Sequence, residues 1–354
     1  MRLERLWVRG LRNIQDMNIE LHPRCNVFIG ENGSGKTSIL EAIYLLSRGQ
    51  SFRSRRVQPL IQFDQSELTV FGKTEDEHRI LISKNNKGHT KVLLNDRVCP
   101  RVSELAKLIP CQLFHQDLFQ IIDASPQIRR RLLDWGLFYL YPDYAIVYRD
   151  FQRVLQQRNL VLKQKGSMQE LRAWNDTFVD LAKKLDGYRH HYAKQLHQGL
   201  QMAIDSVSSV LTCHLVYQRG WDDKFPLAHV LIEQEMFDRK MGYTHAGPHH
   251  ADLSFLSEHG KGKCEWSRGQ QKLLLILLKI AQSQIFQGEC IFLFDDLHSE
   301  LDEARVQALY QQIRQLAGQS IFTALDDSAS HLPIFEDSRW FYLHQGHIEK
   351  ITDL

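Results

Sequence analysis

One octapeptide limits the folds open to this 354-residue chain more than any other feature. Gly30-Glu31-Asn32-Gly33-Ser34-Gly35-Lys36-Thr37 fits G-x-x-x-x-G-K-[ST]. It follows the apolar run Asn26-Val27-Phe28-Ile29 and precedes a helical face of Ile39, Leu40, Ile43 and Leu46 that ends near Gly49. In that order, strand, loop and helix let glycines turn backbone N–H groups onto phosphate oxygens at the positive end of the helix. Lys36 then reaches the β- and γ-phosphates of a nucleotide, and Thr37 holds Mg2+. A chance glycine-rich turn is the alternative, but it does not explain both flanking elements.

A second segment joins this reading. Cys290-Ile291-Phe292-Leu293-Phe294-Asp295-Asp296 is an apolar strand ending in two acids. A carboxylate there can hold the hydration shell of Mg2+, directly or through water, while the next acid polarises an attacking water. Between the two segments, Trp266-Ser267-Arg268-Gly269-Gln270 opens an apolar helix over Leu273–Ile285. Ser267 and Gly269 at that helix start make a second anion-facing site, or Ser267 is an ordinary N-cap. Two copies arranged head to tail would let each close the other's site.

Periodicity divides the chain. Strands are predicted at 3–9, 68–73, 79–83 and 91–95, and the stretch 1–120 reads as the first half of an α/β domain. From Ile128 to about Leu211 helical spacing dominates. Met168, Leu171, Trp174, Phe178, Leu181, Leu185, Tyr188, Tyr192 and Leu196 recur every three or four residues, which predicts one long helix. With the face of Val147, Phe151, Val154, Leu155 and Leu162 before Gly166, it forms a helical hairpin whose first arm spans ~30 Å. A lobe over 121–242 is thus inserted into an α/β domain that resumes over 243–354. There, strands at 290–294 and 320–324, a helix at 304–316 and a terminal hairpin at Gln345-Gly346 are predicted.

The formal charge of +2 hides an asymmetry, because Glu289–Leu354 holds 12 acidic and 4 basic residues. The six cysteines form no CxxC pair or Cys/His cluster, which disfavours structural zinc and a disulfide framework. No apolar run approaches the ~20 residues of a membrane span, and Met1–Arg9 lacks a signal-peptide core. The chain reads as soluble, cytoplasmic and reduced.

In this order the P-loop, Ser267-Arg268-Gly269-Gln270 and Asp295-Asp296 followed by Ser299-Glu300-Leu301-Asp302 resemble the ABC-type ATPase heads. More closely, they resemble the RecF family of bacterial recombination mediators, relatives of the SMC and RecN heads. Further matching stretches are Leu11-Arg12-Asn13, Ser125-Pro126 with Arg129-Arg130-Arg131-Leu132-Leu133-Asp134, Gln157-Arg158-Asn159 and Thr244-His245-Ala246-Gly247-Pro248-His249. The resemblance implies a mixed sheet around the P-loop helix and ATP with Mg2+ as cofactors. It implies an ATP-dependent homodimer with nucleotide between Lys36 of one copy and Ser267 and Gly269 of the other. Asp295 becomes the metal residue with Thr37, Asp296 the catalytic acid beside it, and Ser299, Glu300 and Asp302 the loop crossing the dimer seam. Arg12 and Asn13 are candidate phosphate or adenine contacts, and Gln116 is the candidate glutamine-loop metal ligand. Slow DNA-stimulated hydrolysis, binding to double-stranded and gapped DNA notably near single-strand gaps, a nucleoid-associated location, and RecR and RecO as partners in loading RecA complete the implication.

Departures from the pattern are plain. No histidine stands near Thr323-Ala324-Leu325, where a transporter-type switch histidine would fall, and His250-Ala251 replace the commoner Arg-Asp. A transporter subunit is disfavoured by that, by the absent Gly-Gly signature and by Asp rather than Glu at 296. An SMC-type chromosome clamp needs arms of hundreds of residues. For DNA phosphate, Arg48, Arg53, Arg55, Arg56 and the run Arg129–Arg131 are the candidate contacts, against a solvated charged face as the alternative.

Overall fold

A computed structural model describes residues 1–115, 121–207, 211–258, 266–297, 301, 303–325 and 337–354. Two compact units emerge, Met1–Leu118 with Gln287–Leu354, and Phe119–Phe286.

In chain order the first unit contains β1 (Leu3–Leu11), β2 (Ile14–Glu20), β3 (Cys25–Ile29), α1 (Lys36–Arg48), β4 (Glu67–Thr74), β5 (Arg79–Asn85), β6 (Thr90–Leu94), β7 (Arg97–Val98), α2 (Val102–Leu108) and β8 (Cys111–Phe114). The helical unit follows with α3 (Pro126–Leu140), α4 (Tyr144–Lys163), α5 (Met168–Ala173), α6 (Asn175–Val207), β9 (His214–Gln218), α7 (Leu227–Glu233), α8 (Glu235–Met241), β10 (Asp252–Leu256) and α9 (Arg268–Phe286). The chain then returns to the first unit with β11 (Cys290–Asp295), α10 (Glu303–Arg314), β12 (Gly318–Ala324), β13 (Ser338–His344) and β14 (His347–Asp353).

The first unit has two six-stranded sheets. One is an antiparallel meander, β2-β1-β4-β5-β6-β7. The other is mixed, β14-β13-β3-β12-β11-β8, parallel except for the terminal hairpin. β3 is buried along its whole length, as the continuous apolar run of a central parallel strand requires. α1 touches strands of both sheets, so Ile39, Leu40, Ala42, Ile43, Leu45 and Leu46 are all buried in one shared core. Gly49, at φ 64°, closes the helix by donating its N–H to Leu45 O at 2.7 Å.

Three of the differences between sequence and structure bear on the placement of the elements. The long helix expected from Met168 is broken at Trp174. Ser167 and Glu170 form a capping box that starts α5, and α6 begins afresh at Asn175. The apolar stripe survives because Leu171 and Phe178, two turns apart, are both buried on either side of the break. Second, β2 was not anticipated, although Ile14, Met17 and Ile19 are its buried residues and polar side chains lie between them. Third, residues 243–286, assigned by sequence to the resumed α/β domain, pack in the helical unit, where β10 pairs antiparallel with β9 and α9 packs on α6.

Within that unit α6 is the spine, packed by α3, α4 and α9. It buries two charged residues among apolar ones, Asp186 and Arg189, each of which has an ion-pair partner.

Candidate functional site

The P-loop grows out of the C-terminal end of β3. Gly30 has φ 156°, and a Cβ there would lie 2.3 Å from Leu343 O, so no other residue fits without moving β13. Gly35 caps α1 in the left-handed region at φ 112°. Asn13 staples the loop, donating from Nδ2 to Gly33 O at 2.7 Å and accepting from Ser38 Oγ at 3.2 Å. Lys36 Nζ donates to Gly30 O at 2.6 Å and Glu31 O at 2.8 Å. A cavity of about 510 Å3 opens here, lined by Asn32, Gly33, Gly35, Lys36 and Thr37 among others. Ser34 is buried, and its Oγ has no hydrogen-bond partner among the described residues.

Parallel pairing of β11 between β12 and β8 delivers Asp295 to the same cavity. Thr37 Oγ1 donates to Asp295 Oδ1 at 3.0 Å, bringing together residues 258 apart in sequence. Thr323 Oγ1, on β12, donates to the same oxygen at 2.8 Å and accepts from the Asp296 N–H at 3.1 Å. His115 Nε2 approaches Asp295 Oδ2 at 3.4 Å, and its ring packs on Phe52. Asp296 lines the cavity with φ 50°, a left-handed conformation that Asp tolerates better than most residues.

The donor set suits a hard divalent cation. Mg2+ takes one or two protein oxygens and fills its octahedron with water and phosphate. The Thr37 hydroxyl and the Asp295 carboxylate, already in contact, are two such oxygens. The cavity volume is also within the range of about 300–1,000 Å3 usual for small-molecule sites.

Sequence reading missed Thr323 and His115 as partners of Asp295. The strand pattern foretold β12, and position 323 was noted only for its lack of histidine. His115 stands one residue before Gln116. Gln116 itself, with Ser299, Glu300 and Asp302, lies outside the described residues.

Arg12 lines the cavity as well and makes a further set of contacts. Its Nε and Nη2 donate to the two oxygens of Glu41 at 2.9 and 3.1 Å, and Nη1 to Pro59 O at 2.7 Å. Glu41 is wholly buried, so Arg12 neutralises a core carboxylate while flanking the cavity.

Ser267 and Gly269 belong to the helical unit. Ser267 Oγ accepts from the Gln270 N–H at 3.3 Å, and Gln270 Oε1 from the Ser267 N–H at 2.8 Å, which makes a reciprocal cap at the start of α9. Gln157-Arg158-Asn159 and Thr244-His245 converge. Arg158 and Asp238 pair at 3.0 Å with both side chains fully buried, and Asn159 Oδ1 accepts from Thr244 N and Oγ1, each at 2.8 Å. Of the run Arg129–Arg131, Arg129 grips Asp252 through two 2.7 Å bonds, and Arg130 donates to Ala251 O at 2.6 Å. Arg131 is exposed and has no hydrogen-bond or ion-pair partner among the described residues. Arg53, Arg55 and Arg56 are exposed as well.

Comparison with known proteins decides the family. Residues 2–332 match the profile described as RecF/RecN/SMC N terminal domain. The DNA replication and repair protein RecF of Pseudomonas entomophila is 36% identical over 100% of this chain and 99% of its own length. That of Pseudomonas fluorescens is 37% identical with the same coverage. The chain belongs to the RecF family. A solved structure of the recombination mediator protein RecF with ATP superposes on this RecF-family chain with a TM-score of 0.85 at 23% identity, covering 99% of this chain and 98% of that one. An Smc head bound to the C-winged helix domain of ScpA gives 0.60 at 16% identity, over 100% and 98%. At these identities the structural likeness establishes the fold alone, a mixed α/β head with a helical lobe. Among the described residues of the RecF-family chain, no helix is long and apolar enough to cross a membrane.

Proposed function

We propose that this RecF-family chain is an ATP-dependent DNA-binding protein whose copies pair on ATP. In this reading it binds double-stranded DNA near single-strand gaps in the cytoplasm and, with RecO and RecR, helps load RecA. The observation that carries the nucleotide part is the 3.0 Å contact of Thr37 with Asp295 beside the P-loop cavity. Relatives named DNA replication and repair protein RecF, and a RecF solved with ATP, support the rest by kinship.

In functional terms, 1–120 and 243–354 supply the two halves of the ATPase machinery, and 121–242 the lobe. Lys36 would exchange the carbonyls of Gly30 and Glu31 for β- and γ-phosphate oxygens, while Gly30 to Thr37 present backbone N–H groups. Mg2+ held by Thr37 and Asp295, with Gln116 as a further ligand, would neutralise charge between the phosphates. Thr323 and His115 orient the Asp295 carboxylate, and Asp296 would hold the attacking water. Its side chain is one methylene shorter than Glu, which accords with slow, DNA-stimulated turnover. Ser267 and Gly269 would close the site of the second copy.

Equilibrium binding to a gapped duplex with ATP, with ADP and without nucleotide tests this reading. Tight binding with ATP alone, abolished by Lys36→Ala, is expected. Equal binding under all three conditions would refute the coupling of nucleotide to DNA.

A further inference from the structure

The helical unit has a polar cavity of its own, of about 260 Å3. α3 lines it with Arg130, Arg131 and Asp134, α4 with Tyr148 and Gln152, and α6 with Arg189. Three guanidinium groups face a single carboxylate, an excess of two positive charges. The carboxylate is already engaged. Asp134 Oδ1 accepts from Arg189 Nε at 3.0 Å and Nη2 at 2.8 Å, and from the Tyr144 hydroxyl at 2.6 Å.

The other donors are unmatched. Among the described residues Arg130 makes one hydrogen bond, to the Ala251 carbonyl, and Arg131 makes none. The Tyr148 hydroxyl and the Gln152 amide also lack hydrogen-bond partners among the described residues. Burial, and then repulsion from Arg189, push the Arg130 guanidinium pKa down. Uncompensated positive charge in a half-buried cavity is costly unless an anion completes it.

We propose that this cavity is a phosphate-binding site, with one tetrahedral oxyanion held by Arg130, Arg131, Tyr148 and Gln152. The charge excess equals that of a phosphate dianion, and two guanidinium forks with two neutral donors outnumber the oxygens a carboxylate offers. The phosphate is either free or part of a DNA backbone. This site stands independently of the P-loop reading.

Hydrogen-exchange mass spectrometry of the full chain tests it, with inorganic phosphate in one arm, a short DNA duplex in the other, and chloride at equal ionic strength as the control. Peptides covering 127–134 and 148–152 report on this cavity, and those covering 30–37 report separately on the P-loop. Saturable protection at 127–134 and 148–152 is expected. Arg131→Gln and Tyr148→Phe should each raise the half-saturating concentration about tenfold, the loss of one charge-assisted or buried hydrogen bond. Neither variant should alter Tm or the P-loop peptides. Protection by phosphate identifies a free anion as the ligand, and protection by duplex alone identifies a backbone phosphate. No protection in either arm, or protection that both variants leave unchanged, would overturn the proposal.

Discussion

Asp295 gathers side chains from three other elements or their edges, Thr37 at the start of α1, Thr323 on β12 and His115 beyond β8. The P-loop itself was legible because its chemistry lies within eight consecutive residues. The Thr323 and His115 contacts were not, because only parallel strand pairing brings positions 115, 295 and 323 side by side. Arg12 shows the converse. A basic residue beside a phosphate loop reads as a ligand, and nothing in the local sequence announces that it also pairs with Glu41, buried on α1. Arg12→Ala should therefore cost about 3–5 kcal/mol of stability by stranding a buried carboxylate, measurable as a fall in the urea midpoint. His249 gives a pH-dependent counterpart. Burial, reinforced by the positive charges of His250, Arg130 and Arg158, holds its pKa down to about 3 against the Thr244 carbonyl, which favours the proton. The unfolded chain binds a proton near pH ~6.5 that the native fold refuses, so the neutral ring's contribution is complete above that pH and is lost as pH falls. Relative to His249→Asn, wild-type stability should drop by about 1.4 kcal/mol per pH unit below ~6. Denaturation midpoints at several pH values check this, and parallel slopes for the two proteins would contradict it.

At the scale of elements, hydrophobic spacing recovered the strands around the P-loop, α4 and the face of α6. It could not register the break at Trp174. The Ser167 capping box restarts the helix at α5, but the buried face continues across the gap, so the period alone looks unbroken. Ser167→Ala should cost about 1 kcal/mol, read from thermal melts. Packing between α3 and α6 is tighter. A Cβ at Gly136 would lie 2.0 Å from the Tyr192 hydroxyl, which itself accepts from Gln282 Nε2 at 3.1 Å. Gly136→Ala should cost about 1–3 kcal/mol by overpacking and disturb that hydrogen bond. A cost near zero would mean the helices separate freely. β9 and β10 escaped the sequence reading because strands of five residues each, paired with one another in a two-stranded sheet, leave a weak periodic trace.

Over the whole molecule the near-neutral charge resolves into two parts. The helical unit, 119–286, carries 22 basic and 17 acidic residues, while the first unit is net acidic by three. Arg131 in one unit and Arg53, Arg55 and Arg56 in the other stand exposed, and under the proposed function the affinity for a gapped duplex, measured across a salt series, should fall steeply as salt rises. The division between units was only partly legible, because 243–286 has an α/β look yet packs with the helices. Pairing of two copies around nucleotide is the central claim, and it places Lys36 of one opposite Ser267 of the other. Multi-angle light scattering with ATP, with ADP and without nucleotide tests it most directly. The expected result is a monomer mass that doubles with ATP alone, and a Ser267→Arg variant that binds ATP yet stays at the monomer mass. An unchanged mass across all three conditions, or doubling that Ser267→Arg does not affect, would contradict it.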